Sequence, residues 1–150
     1  MKKPRIYVDS SVIGGCCDDE FREESRALLA MASRGQVHLI LSELLVRELE
    51  GAPEEVRTVP ALIPSDAFES VSLSVEAQEL RDRYLEANVV GPAQSNDAYH
   101  VALATVAKAE MIVSWNFRHI VHFDKIRGFN AVNLREGYLP IEIHSPKEVV

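Results

Sequence analysis

Arg5-Ile6-Tyr7-Val8-Asp9-Ser10-Ser11 is the stretch whose reading decides the fold. Ile6, Tyr7 and Val8 are β-branched or aromatic, and a short bulky run of this kind reads as a buried strand. The run stops abruptly at Asp9. Ser10 and Ser11 follow, and either can cap a helix N-terminus. An aspartate at the carboxyl end of a first strand lies where open α/β sheets hold their ligands. Taken alone, Asp9 is equally a turn residue or a helix cap. A chemical role depends on what the rest of the chain brings beside it.

Outward from this strand, helices and strands alternate. Phe21 to Ser33 is rich in Ala, Leu, Glu and Arg, with apolar positions near helical spacing, and Gly35 stands where such a helix stops. His38 to Leu41 predicts a second strand. Ser42 caps a helix over Glu43 to Glu50, which Gly51-Ala52-Pro53 ends. Residues 54 to 66 read as a short helix and a loop, and Phe68 to Leu73 as a short strand. Ser74 caps a helix over Val75 to Ala87, and Gly91-Pro92 closes it. Ser95 is the expected cap of a helix over Asn96 to Ala109, unusually rich in alanine. Met111 to Val113 reads as a strand, Phe117 to Asn130 as mixed structure, Ile141 to Ile143 as a late strand, and Ser145 to Glu148 as a terminal turn. Strands alternating with helices imply a parallel sheet covered on both faces, an α/β/α sandwich.

The 150 residues fit one domain, 1–150, with a sizeable core, and the hydrophobic fraction of 47% is ordinary for a globular chain. No apolar run approaches the roughly 20 residues of a membrane span. The Met-Lys-Lys start has the charge of a signal n-region, but Asp9 interrupts any apolar segment after it, so a cytoplasmic protein is expected. Cys16 and Cys17 are adjacent and have no other partners, which excludes a disulfide framework or a zinc finger; reduced, partly buried thiols are expected. The net charge of −7 argues against coating nucleic acid through field alone. It does not argue against a nuclease, because a bound Mg²⁺ reverses the local sign of a carboxylate cluster.

Four positions stand out by placement: Asp9 ends the first strand, Glu48 lies in the helix after the second, Asp97 opens the alanine-rich helix, and Asn116 follows the strand at Met111 to Val113. Strand ends and following helix starts collect at one rim of a parallel sheet. Such carboxylates suit Mg²⁺, which takes oxygen ligands and keeps several waters. The metal would polarise a phosphodiester oxygen and activate a water. Asp97 is also explained by the dipole of its helix, and Glu43 competes with Glu48 as the second acid. His100, three residues beyond Asp97, either supports the site or is a satisfied core histidine. Trp115 either stacks on a base or packs. His119 and His122 lack a third ligand for zinc.

Four stretches in this order resemble PIN domains, in particular the VapC-like proteins of bacterial toxin–antitoxin pairs. They are Tyr7-Val8-Asp9-Ser10-Ser11-Val12-Ile13, Leu41-Ser42-Glu43 through Arg47-Glu48-Leu49, Asn96 to Ala104, and Val113-Ser114-Trp115-Asn116-Phe117-Arg118-His119-Ile120. The resemblance covers residues 4 to about 145 and implies a three-layer α/β/α sandwich with a central parallel sheet. It further implies a Mg²⁺- or Mn²⁺-dependent endoribonuclease, with RNA as substrate, a small antitoxin as partner and a homodimer as assembly. Asp9, Glu48 and Asp97 match the recurrent acids and would hold the metal. Asn116 stands where many members carry a further aspartate, which weakens the case for a second ion; it would position a water. A different class of function is equally framed by that amide and the acidic charge: a catalytically weak or inactive PIN-fold binding module acting through a protein partner. Carboxylate–metal chemistry also admits a phosphatase or a DNA-directed flap nuclease.

Overall fold

The computed structural model describes residues 2–150; Met1, and with it the start of the Met-Lys-Lys stretch, lies outside the described residues. Five strands form one sheet: β1 (Arg5–Val8), β2 (His38–Ser42), β3 (Phe68–Val71), β4 (Met111–Val113) and β5 (Glu142–His144). Their order is β3-β2-β1-β4-β5, and every pairing is parallel. The chain builds outward from β1 on one side and then on the other. The strand order therefore reverses between β1 and β4, and a crevice opens there at the carboxyl ends.

Eight α-helices accompany the strands: α1 (Ser10–Gly15), α2 (Arg22–Ser33), α3 (Glu43–Leu49), α4 (Glu54–Arg57), α5 (Val75–Glu86), α6 (Ser95–Val106), α7 (Phe123–Arg135) and α8 (Pro146–Val149). Strand side chains alternate between two cores, as the pleat requires. Ile6, Val8, Leu39, Leu41 and Val113 pack against residues of α1, α2 and α4. Tyr7, Ile40, Ile112 and Ile143 pack against α5, α6 and α7. Helix α3 serves both, with Leu44 in one core and Leu45 and Leu49 in the other. The result is the three-layer sandwich expected, with a PIN-like topology.

Helix α6 is buried without a break from Ala98 to Thr105. Its small side chains let it lie between the sheet and α5. Gly35 ends the α2 turn at φ 76°, a left-handed conformation that glycine adopts without steric cost.

Local details depart from the sequence reading. The cap of α1 is Asp9 itself, whose side chain accepts from the Ser11 N–H; Ser10 and Ser11 are inside the helix. Ser95 is likewise inside α6, because a 3₁₀ turn at Pro92–Gln94 leads directly into it. The helix stops at Val106, with Lys108 in a positive-φ turn. The 117–130 segment resolves into a tight turn and then α7, which extends to Arg135. Strand β5 begins one residue later than expected, and β3 ends at Val71. Cys16 is buried, Cys17 is half-buried, and both thiols are free.

Candidate carboxylate site

The register of the two central strands brings the site together. Val8 pairs with Val113, so Asp9 and Ser114 are the next residues out of adjacent strand ends. Asp9 is only 4% exposed and both of its oxygens are held. Ser11 donates to Oδ1 through its N–H (3.2 Å) and its hydroxyl (2.6 Å). The Ser114 hydroxyl donates to Oδ2 at 2.6 Å. Each hydroxyl is itself oriented by a backbone N–H of the β4 exit: Trp115 N–H donates to Ser11 Oγ (2.9 Å), and Asn116 N–H donates to Ser114 Oγ (2.9 Å). The carboxylate is thus fixed by two hydroxyls whose rotors are already committed.

Glu48 reaches the same rim from α3. Its Oε1 lies 2.5 Å from His100 Nε2. His100 Nδ1 lies 2.7 Å from the Tyr7 hydroxyl, which donates to Ser42 Oγ, also at 2.7 Å. Ser42 in turn accepts from Leu45 N–H and caps α3, the helix that carries Glu48. A closed chain of polar contacts therefore links β1, the end of β2, α6 and α3. His100 is a satisfied buried residue that also holds an acid of the rim. Glu43 has another use: it pairs with Arg47 at 2.7 Å and accepts from Leu73 N–H at 3.2 Å.

Asp97 sits in the first turn of α6. The Asn116 side chain is among the groups that favour its charged form. The Asn116 amide oxygen accepts from His119 N–H at 2.9 Å, and Asn116 thereby braces the turn after β4. Trp115 packs: its ring stacks on Phe21 at 4.2 Å and its indole N–H donates to Ser25 Oγ at 2.8 Å.

The electrostatics differ between the three acids. Burial pushes the Asp9 carboxyl above its ordinary value; His100 and the Ser11 and Ser114 hydroxyls oppose this, and Glu48 adds to it. Burial also raises Asp97, against His119 and His100, with the Asp9 charge adding to the rise. Burial alone would raise Glu48, but the His100 hydrogen bond and charge and the Ser10 hydroxyl outweigh it, and Glu48 is held below its usual range. Two strained acids and one stabilised acid thus feel one another across a single rim.

The donor set is all oxygen, which suits a hard divalent cation. Among the described residues, no three His, Cys, Asp or Glu side chains stand close enough to hold an ion together. A Mg²⁺ ion held by one or two carboxylates, with water in its other positions, asks for no such triplet. The donor chemistry therefore suits such an ion, which Asp9, Asp97 and Glu48 would hold directly or through water.

The sequence reading named Asp9, Glu48, Asp97 and Asn116, and the fold brings all four to this rim. It missed Ser114, Ser11, Tyr7 and Ser42 as the groups that hold them. One signal for Ser114 was present: a polar residue ending β4 as Asp9 ends β1.

No protein-family model matches the sequence, and no curated protein matches it. Solved structures do. A chain of the VapBC2 structure from Rickettsia felis, bound to a DNA fragment from their promoter, superposes with a TM-score of 0.59 at 12% identity, over 94% of this chain and 98% of that one. VapC20 from Mycobacterium tuberculosis, a Sarcin-Ricin loop cleaving toxin, superposes with a TM-score of 0.58 at 14% identity, over 91% and 98%. The chain has the VapC-like PIN fold over nearly its whole length.

Proposed function

We propose that this chain, folded like the VapC toxins, is a Mg²⁺- or Mn²⁺-dependent endoribonuclease and the toxin of a toxin–antitoxin pair. The observation that carries the reading is that Asp9, at the point where the strand order reverses, lies within electrostatic reach of Glu48 on one side and Asp97 on the other, each from a separate element. The RNA-cleaving description of the M. tuberculosis neighbour supports the substrate class, and the VapBC complex supports an antitoxin partner. A homodimer acting in the cytoplasm completes the reading. Among the described residues no helix is long and apolar enough to cross a membrane.

The metal, when bound, would polarise a phosphodiester oxygen and lower the pKa of a water. The chain's own residues do the positioning. Ser11 and Ser114 fix the Asp9 carboxylate so that it need not reorganise on binding. Asn116 braces the turn after β4. His100 keeps Glu48 ionised and aimed at the rim, where it can accept a proton. The test is cleavage of a structured RNA pool with Mg²⁺, with Mn²⁺ and with chelator, beside Asp97→Asn. Metal-dependent cleavage that falls by more than about a hundredfold in the variant is expected, since even supporting residues of metal sites are worth 10–100-fold. Equal cleavage by the variant would remove Asp97 from the site.

A second reading draws on a specific observation. No ready three-ligand group exists among the described residues, and an amide, Asn116, stands where a fourth carboxylate would add charge. On that reading the chain is a PIN-fold binding module that acts through a protein partner. Calorimetry with Mn²⁺ separates the two, because the module shows no binding at millimolar metal.

A further inference from the structure

A polyanionic substrate must approach an acidic rim on a chain of net charge −7. Something near that rim has to offset the repulsion. Six of the sixteen Lys and Arg side chains are neutralised in ion pairs, Arg5 with Glu69 and Arg47 with Glu43 among them. The segment from Phe117 to Arg127 gathers three cations, Arg118, Lys125 and Arg127, none of them in an ion pair among the described residues, with Asp124 as its one acid.

The same segment carries two exposed aromatic rings. Phe117 is 47% exposed and Phe123 is 70% exposed. Neither position is explained by packing alone. The Phe117 ring meets Trp115 edge-on at 6.1 Å, and Trp115 is stacked on Phe21. A ladder of rings thus runs from the core to solvent and holds Phe117 in place beside Asn116. The Arg127 guanidinium lies over the Phe123 ring at 5.5 Å. The segment is anchored to the site: Asn116 N–H donates to Ser114 Oγ, whose hydroxyl donates to Asp9, and the Asn116 side-chain oxygen accepts from His119 N–H. Phe123 is four residues beyond His119, at most about 14 Å of extended chain. A strand a few nucleotides long can span that distance.

Unpaired cations interleaved with exposed rings are what binding of single-stranded nucleic acid requires: phosphates take the charge and bases stack on the rings. We infer that the segment Phe117–Arg127 is a clamp for single-stranded RNA, in which Phe117 and Phe123 stack bases while Arg118, Lys125 and Arg127 hold phosphates beside the carboxylate rim. This rests on the ribonuclease reading for its substrate. What it adds is the surface: the side chains of Phe117–Arg127 that grip the strand, since bases in a duplex cannot reach the rings.

The test is fluorescence anisotropy of the full chain with a labelled single-stranded oligoribonucleotide and with its duplex, in chelator, over a range of salt. Preference for the single strand is expected. Phe117→Ala and Phe123→Ala should each weaken binding about fivefold or more. Arg118→Gln, Lys125→Gln and Arg127→Gln should each flatten the log–log salt slope by about 0.7. All five variants should keep the wild-type melting temperature and Mn²⁺ affinity, which shows that fold and carboxylates are intact. Unchanged RNA affinity and slope in these variants overturns the clamp, as does equal binding of the duplex. Loss of self-association in place of RNA binding also overturns it, and makes the surface a contact between copies. Because binding is read without metal, failure of wild-type cleavage would count against the ribonuclease reading and leave the clamp to be judged separately.

Discussion

At the residue scale, Asp9 is a buried carboxylate whose folded-state pKa lies above its ordinary value of 3.8 because burial disfavours the charged form. The folded chain therefore binds this proton more tightly than the unfolded chain does. Stability then falls as pH rises from about the ordinary value through the raised one, and the penalty is fully present above the raised value. Asp97 has the same sign. Asp9→Asn removes the charge and keeps the shape and the helix cap, since asparagine caps as well as aspartate. In chelator at pH 7, Asp9→Asn is expected to melt above wild type, with the difference shrinking as pH is lowered toward 3.8. Equal or lower melting at pH 7, followed by differential scanning calorimetry, would show that the two serine hydroxyls fully offset the burial.

At the element scale, the site depends on how α6 and α3 are joined. His100 is the joint: its ring connects Glu48 to Tyr7, and Tyr7 connects it to the cap of α3. Groups that orient metal ligands are worth about 10–100-fold in affinity. His100→Ala is expected to lower Mn²⁺ affinity by that order, and to add little once Glu48 is already Gln. Calorimetric titration of the two single variants and the double variant reads this directly. Additive losses would mean that His100 acts elsewhere. Helix α7 shows how tertiary context overrides local preference. Its interior holds Gly128, Asn130 and Asn133, poor helix formers, which is why the segment read as mixed. A Cβ at Gly128 would meet Val89 Cγ1 at 2.9 Å. Asn133 is buried because it accepts from the Tyr84 hydroxyl at 2.5 Å and donates to Thr105 at 3.3 Å. These residues are chosen for their neighbours, at a cost in helix propensity.

At the scale of the whole molecule, the strained acids couple metal binding to stability. A ligand that binds only the folded chain stabilises it by about 2.7 kcal/mol at a hundred times its dissociation constant. For a chain of this size that corresponds to roughly 5–10 °C in melting temperature. Mn²⁺ is therefore expected to raise the wild-type transition by this amount and to leave Asp9→Asn nearly unmoved. The order of the two melting temperatures in chelator would then be reversed. A wild-type transition indifferent to millimolar Mn²⁺ would favour the binding-module reading.

The sequence by itself determined the alternation of strands and helices, the parallel sandwich and the acids at the strand ends and helix starts. These are written in short-range periodicity and in where polar residues interrupt apolar runs. Only the tertiary structure decided which groups hold those acids. Ser114 reaches Asp9 across 105 residues of chain, and His100 reaches Glu48 across 52. Such contacts follow from strand register and helix docking, which no local pattern encodes. The same holds for Asn116, whose side-chain oxygen accepts from His119 N–H and braces the turn after β4.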